Sequence, residues 1–312
     1  MKKRGIIDAR GEQYSTVERM HLIRCLAKWS ANLYIFGQLT WDKSITPISQ
    51  ADQEVFTQIS NRCQEYGIEL WAWMKPGDYR YLYHKSDRRK FIDNAKQYME
   101  LGAAGFYLLI DDLHPSANLT EEVLRRDAEY QALLIPELHE ALGDNFKAFC
   151  GEHYHGSIPG DCSYYWEPIL EVLPKHVMIT WTGPQIWNRS LSAQDVPNLE
   201  WPLLLFENYF ASDSDDPERS PIYPYDGRNP DLLNALDVAV INPNNHYPWQ
   251  YCALQTAMNF WNAPGEYNPE VSFKKAVRDF GDMYLEDYTL FVEQYTALGG
   301  DSNVVYPGPV RF

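Results

Sequence analysis

Phe106-Tyr107-Leu108-Leu109-Ile110-Asp111-Asp112 decides how this chain folds on paper: five apolar residues run without a break into two adjacent carboxylates. A short continuous apolar run is the pattern of a strand buried on both faces, as in a parallel sheet covered by helices. Seven further runs share the character: Gly5 to Asp8, Leu33 to Gly37, Glu69 to Met74, Phe146 to Gly151, Val177 to Gly183, Leu203 to Asn208 and Val238 to Asn244. Between runs, apolar residues recur every three or four positions, predicting helices such as Thr16 to Trp29, Gln53 to Tyr66, Arg88 to Leu101, Glu121 to Leu142 and Trp249 to Trp261. Alternating strands and helices specify parallel strands joined by crossovers. Eight such units close into a TIM (β/α)8-type barrel, an α/β fold. An open doubly wound sheet would carry a glycine-rich phosphate turn after its first strand, and this chain has none.

The barrel is expected over residues 1–264. Residues 265–312 are expected to form a C-terminal helical extension packed on it, because Phe273, Val277, Phe280, Tyr284 and Tyr288 stand at helical spacing. The polar stretch Ser212 to Arg219 reads as a long loop after the seventh strand.

Composition narrows the function. The 312 residues hold 27 Lys and Arg against 43 Asp and Glu, a formal net charge of −16. That charge repels phosphate backbones and anionic lipid, so neither nucleic acid nor membrane is the expected partner. Ten Trp and 22 Tyr bring the aromatic share to 14%, and flat rings with polar edges suit sugar faces. The basic start Met1-Lys2-Lys3-Arg4 runs into Gly5-Ile6-Ile7-Asp8 with no long apolar stretch, which gives a cytoplasmic expectation. The five cysteines, Cys25, Cys63, Cys150, Cys162 and Cys252, are odd in number and contain no C-x-x-C pair, so they are expected as buried free thiols.

In a barrel of this type the reactive groups sit where strands end and the following loops begin. The fourth strand ends in Asp111-Asp112, where burial and mutual repulsion should raise one pKa, as a general acid requires. A single Asp there would read as a helix cap or an ion pair, whereas two in sequence favour chemistry. The fifth strand ends in Glu152-His153-Tyr154-His155, the sixth in Thr180-Trp181-Thr182-Gly183-Pro184, the seventh in Glu207-Asn208-Tyr209 with Asp213 beyond, and the eighth in Asn242-Pro243-Asn244. Singly these are ordinary turn and cap residues. Together, at successive strand ends, they read as a sugar pocket. Histidines two apart without a third ligand at recognisable spacing do not make a metal site, so neither metal nor organic cofactor is expected.

Most glycosidases place two carboxyl groups across the scissile bond, about 5 to 5.5 Å apart when configuration is retained. Adjacent aspartates cannot easily straddle a sugar in that way. They can serve a substrate-assisted route, in which the 2-acetamido oxygen of the sugar attacks the anomeric carbon, one Asp orients the amide and the other protonates the leaving oxygen. The pair therefore points to an N-acetylated carbohydrate substrate.

With these residues in order, the sequence resembles the O-GlcNAcase-type β-N-acetylglucosaminidases of glycoside hydrolase family 84 from about Arg4 to Ala263. The resemblance is carried by Arg4-Gly5-Ile6-Ile7, Pro76-Gly77, Leu109-Ile110-Asp111-Asp112, Trp181-Thr182-Gly183-Pro184, Pro224-Tyr225-Asp226-Gly227-Arg228 and Asn242-Pro243-Asn244. It implies a retaining, exo-acting enzyme in which Asp111 holds the acetamido N–H and Asp112 is the general acid and base. It also implies that Tyr154 bonds the acetamido group, that Asn208, Asp213 and Asn244 bind the sugar, and that Trp181 and Phe206 line its pocket. The chain departs from the family at three places. Asp8-Ala9-Arg10-Gly11-Glu12 replaces a Glu-Gly-Phe-Tyr-Gly-like turn, and Phe206-Glu207 replaces a Trp-Asp pair. Leu39 stands where a hydroxyl-gripping lysine is expected, with Arg10 or Lys43 as replacements for the contact. Two alternatives follow: an enzyme of the same mechanism on another N-acetylated glycan, including endo-acting hyaluronidase-like action, and a non-catalytic carbohydrate-binding barrel.

Overall fold

The computed structural model describes residues 1–9, 14–37, 44–76, 82–112, 120–211, 223–244 and 250–281. Eight strands, β1 (Lys3–Asp8), β2 (Leu33–Gly37), β3 (Glu69–Met74), β4 (Gly105–Leu109), β5 (Phe146–Cys150), β6 (Met178–Trp181), β7 (Leu203–Glu207) and β8 (Val238–Ile241), close into one barrel in chain order. Every neighbouring pair is parallel, including β1 with β8, so the barrel has no free edge. The TIM-barrel expectation holds, with strand bounds within three residues of the runs read from the sequence.

Period-two alternation splits each strand between two apolar layers. Ile7, Leu33, Ile35, Trp71, Trp73, Tyr107, Leu109, Leu204 and Val240 fill the barrel interior. Ile6, Tyr34, Phe36, Ala72, Leu108, Ile179 and Leu205 face outward to the helices. Both layers are apolar, which is why the strands read as unbroken runs. Gly5 serves close strand approach, since a Cβ there would lie 1.7 Å from the Leu33 carbonyl oxygen.

The helices are α1 (Thr16–Lys28), α2 (Gln50–Glu65), α3 (Lys85–Glu100), α4 (Glu121–Leu142), α5 (Ser163–Val172), α6 (Leu232–Ala235) and α7 (Tyr251–Asn262). Ser15, Ser49 and Thr120 each accept a backbone N–H at the start of α1, α2 and α4, and Ser15 with Glu18 completes a capping box. Residues 269–281 are also helical. There Ala276 is fully buried and Phe273, Val277 and Phe280 pack on the outer core, while Gln255 of α7 donates to Asp279. Tyr284 and Tyr288 lie outside the described residues, as does Ser212 to Arg219. Cys25, Cys63, Cys150 and Cys252 are buried free thiols, whereas Cys162 is half-buried. Among the described residues, no helix is long and apolar enough to cross a membrane.

Candidate active site

Strand parity fixes what reaches the carboxyl-end mouth of the barrel. On β4 the inward positions are Tyr107 and Leu109, so Asp111 continues the inward series and Asp112 would face outward if the chain stayed extended. It does not stay extended. Asp112 has φ 53°, a left-handed backbone that Asp tolerates better than most residues. This turn re-aims its side chain, and the Tyr154 hydroxyl donates to Asp112 Oδ1 at 3.2 Å. The two adjacent carboxylates thus have separate partners.

Asp111 is the more enclosed of the two, with a side chain 21% exposed and its Oδ1 buried without a hydrogen-bond partner among the described residues. Its Oδ2 lies 3.7 Å from Lys75 Nζ, at the end of β3. Burial raises the Asp111 pKa, the Lys75 ammonium pulls it down, and Asp112 raises it again, the net shift being upward. The floor beneath is buried. Tyr107 and Thr180 share a hydrogen bond of 2.7 Å there, and burial holds the Tyr107 hydroxyl and the Cys150 thiol well above their usual pKa values.

Tyr154 is placed by a clip between the loops after β5 and β6. The Gly156 amide donates to the Gly183 carbonyl at 2.8 Å, the Thr182 amide to the Tyr154 carbonyl at 3.0 Å, and the Trp181 indole N–H to the Gly156 carbonyl at 2.9 Å. Glycine is needed at 183, where φ is +126° and a Cβ would lie 2.2 Å from Asn188 Nδ2. Burial and the neighbouring Asp112 push the Tyr154 hydroxyl pKa upward, which keeps it a donor.

A second polar knot locks the far side of the mouth. Arg228 donates to both carboxylate oxygens of Glu207, at 2.8 and 3.0 Å, and the Tyr225 hydroxyl donates to the same group at 2.7 Å. Arg228 also donates to the carbonyls of Asn188, Arg189 and Asp226, tying the loop after β6 to the one after β7. These bonds account for the Pro-Tyr-Asp-Gly-Arg motif: Gly227 has φ +73° and lets the Arg189 carbonyl approach. Asp8 is spent likewise on Arg19, at 2.7 Å, and on the Tyr34 hydroxyl, at 2.6 Å.

The remaining expected site residues divide. Phe206 points inward at the mouth and packs on the interior layer. Asn208 also stands on the inward parity, accepting from Asn242 Nδ2 at 3.0 Å and donating to the Ile186 carbonyl at 3.1 Å. Trp181 is fully buried in the outward layer, where its indole N–H holds the loop that carries Tyr154. Asn244 is also fully enclosed, its backbone N–H donating to Gln250 Oε1 and its carbonyl accepting from Tyr14. Asp213, Leu39, Arg10 and Lys43 lie outside the described residues. Lys75 is the site neighbour that strand-end reading did not single out. Lys75 was hidden by Pro76-Gly77, which makes it look like the first residue of a turn, although two-residue counting from Trp71 and Trp73 would have found it. Beside the clip opens a groove of about 610 Å³, with Trp187 and Tyr223 exposed on its wall.

Comparison with known proteins agrees with this fold. The protein O-GlcNAcases of Rattus norvegicus and Mus musculus are each 26% identical to the chain over 272 residues, which cover 81% of it, and the chain spans 29% of their length. An O-GlcNAc hydrolase of Thermobaculum terrenum shares the fold with a TM-score of 0.77, covering 89% of this chain and 62% of that one at 22% identity. The model of the family described as beta-N-acetylglucosaminidase matches residues 4–293, the whole barrel with its carboxylate pair, and the chain belongs to that family of glycoside hydrolases.

Proposed function

We propose that this chain is a retaining β-N-acetylhexosaminidase that removes terminal N-acetylglucosamine-type residues with help from the substrate's own acetamide. The observation that carries the reading is the division of labour between Asp111 and Asp112: one is enclosed with an unpartnered acceptor oxygen, the other is exposed and hydrogen-bonded by Tyr154. An enclosed acceptor without a donor is costly, and an amide N–H satisfies it. Two other acids that end strands, Asp8 and Glu207, are committed to Arg19 and Arg228, which leaves both poorly placed as a nucleophile.

The steps follow from this arrangement. The acetamido oxygen attacks the anomeric carbon as its bond to the leaving oxygen breaks, and Asp112 gives that oxygen its proton. Asp111 accepts the amide N–H and stabilises the positive charge that develops on the oxazoline ring. Asp112, now a carboxylate, takes a proton from water as the water oxygen attacks the same carbon, which restores the acetamide and retains configuration. Phe206 and Asn208 offer the pocket a ring and an amide, and the exposed Trp187 gives an attached sugar or peptide a flat surface.

Hydrolysis of aryl glycosides carrying mono-, di- and trifluoroacetyl groups tests the reading directly. Each fluorine weakens the amide oxygen as a nucleophile, so kcat should fall steeply along the series. A flat series, or a trapped glycosyl ester on the protein, rules the route out, and absence of any turnover favours the binding-only alternative.

A further inference from the structure

Lys75 is buried to 7% exposure at a place where an apolar residue would close the barrel mouth more cheaply. Inward parity from Trp71 and Trp73 delivers it there, and its Nζ stands 3.7 Å from Asp111 Oδ2. The two other buried ion pairs described here, Arg19 with Asp8 and Arg228 with Glu207, face outward and fasten a helix or a loop to the barrel. Lys75 meets Asp111 from the end of β3. It stays within β3's own extension, and among the described residues it is the cation paired with either aspartate.

We propose that Lys75 is a positioning residue of the reaction: its ammonium holds Asp111 by Oδ2 as a carboxylate, which reserves Oδ1 for the substrate's amide N–H. The inference rests on the reading that Asp111 orients an acetamide. The groups that bear on Asp111 are Lys75 from β3, Tyr107 on β4, Asp112 beside it, and Cys150 and Tyr154 from β5 and its loop. Burial keeps Tyr107, Cys150 and Tyr154 neutral, and Asp112 carries the wrong sign to help. Lys75 is therefore the countercharge of this set. An Asp111 protonated on Oδ1 would present an O–H to the amide in place of the acceptor that the amide N–H needs. The ammonium also makes the carboxylate a weaker base, so it accepts a hydrogen bond without removing the proton.

The test is the pH profile of kcat/KM on an aryl N-acetylglucosaminide for Lys75→Met, Lys75→Arg and Asp111→Asn, and for the Asp111→Asn/Lys75→Met double variant. Loss of the ammonium removes the influence that favours ionised Asp111, so in Lys75→Met the acid limb should move to higher pH and kcat should fall by about tenfold or more. Lys75→Arg keeps the charge and should return the limb toward its original position. Because Lys75 acts through Asp111, the double variant should be no slower than Asp111→Asn alone, a non-additivity expected of coupled groups. An unmoved acid limb in folded Lys75→Met, or full additivity in the double variant, overturns the role of Lys75 while leaving the hydrolase reading intact. Should Lys75→Met fail to fold, Lys75→Arg and the double variant decide by the same criteria. Lack of wild-type turnover instead removes the reading on which the inference stands.

Discussion

Asp111 and Asp112 are neighbours in sequence, yet the turn at Asp112 gives them different environments. Asp111 continues the strand and sits beside Lys75, whereas Asp112, at φ 53°, swings to Tyr154. Their presence was legible because two charges end an apolar run. Their separation was not, since it depends on one backbone dihedral and on a tyrosine 42 positions away. The separation predicts asymmetric kinetics. Asp112→Asn should slow aryl glycosides with poor leaving groups by about 10²-fold or more, because they depend on proton donation, while highly activated ones lose little. Measuring kcat/KM across a series of phenol leaving groups checks this, and equal slowing throughout would remove Asp112 as the acid. Lys75 marks the limit of motif reading at this scale. Comparison by motif directs attention to Leu39 and to Arg10 or Lys43 as replacements, whereas side-chain parity finds a cation among the described residues at Lys75, just past β3.

Strands were the most legible elements, for a physical reason: both faces are buried, so each reads as a contiguous block, and β2 and β3 occupy the residues expected of them. The connections were less legible. The segment from Thr182 to Pro202 crosses from β6 to β7 without an α-helix, held by side-chain to backbone bonds from Asn188 and Arg228 that no periodicity reveals. Trp181 illustrates the same gap, because parity places it in the outward layer, which its position at a strand end does not reveal. The Glu207–Arg228 pair is the element-scale support of the site, joining β7 to two loops and underlying Asn208. Removing one partner of a buried pair strands the other, at a cost of about 3–5 kcal/mol. Arg228→Met should therefore lower the denaturant midpoint by that equivalent, and it should reduce activity under conditions where the variant is still folded, because the Asn188 loop loses its anchor. A midpoint unchanged within about 0.5 kcal/mol would show that the loops are held by other means.

At the scale of the whole molecule, a closed barrel with two apolar layers needs little help from surface charge, and the surface is free to carry a strongly acidic balance. The net charge of −16 is large for 312 residues, and the acids near the mouth include Asp111 and Asp112. A neutral terminal sugar meets this field without penalty. A polyanionic N-acetylated glycan, the substrate of a hyaluronidase-like alternative, is repelled by it, and the repulsion reaches about 30 Å at 0.01 M salt but only about 8 Å at 0.15 M. The two substrate classes should respond oppositely to ionic strength. For an uncharged aryl N-acetylglucosaminide, kcat/KM should change by less than about twofold over this range, since no long-range Coulomb work accompanies encounter. For an anionic polymer, whatever hydrolysis occurs should be slowest at low salt and increase as salt is added, because screening shortens the repulsion before it weakens any buried contact such as that between Lys75 and Asp111. A polymer cleaved fastest at low salt would reveal a cationic path to the mouth, and it would move the assignment from terminal sugar removal to cleavage within a charged chain.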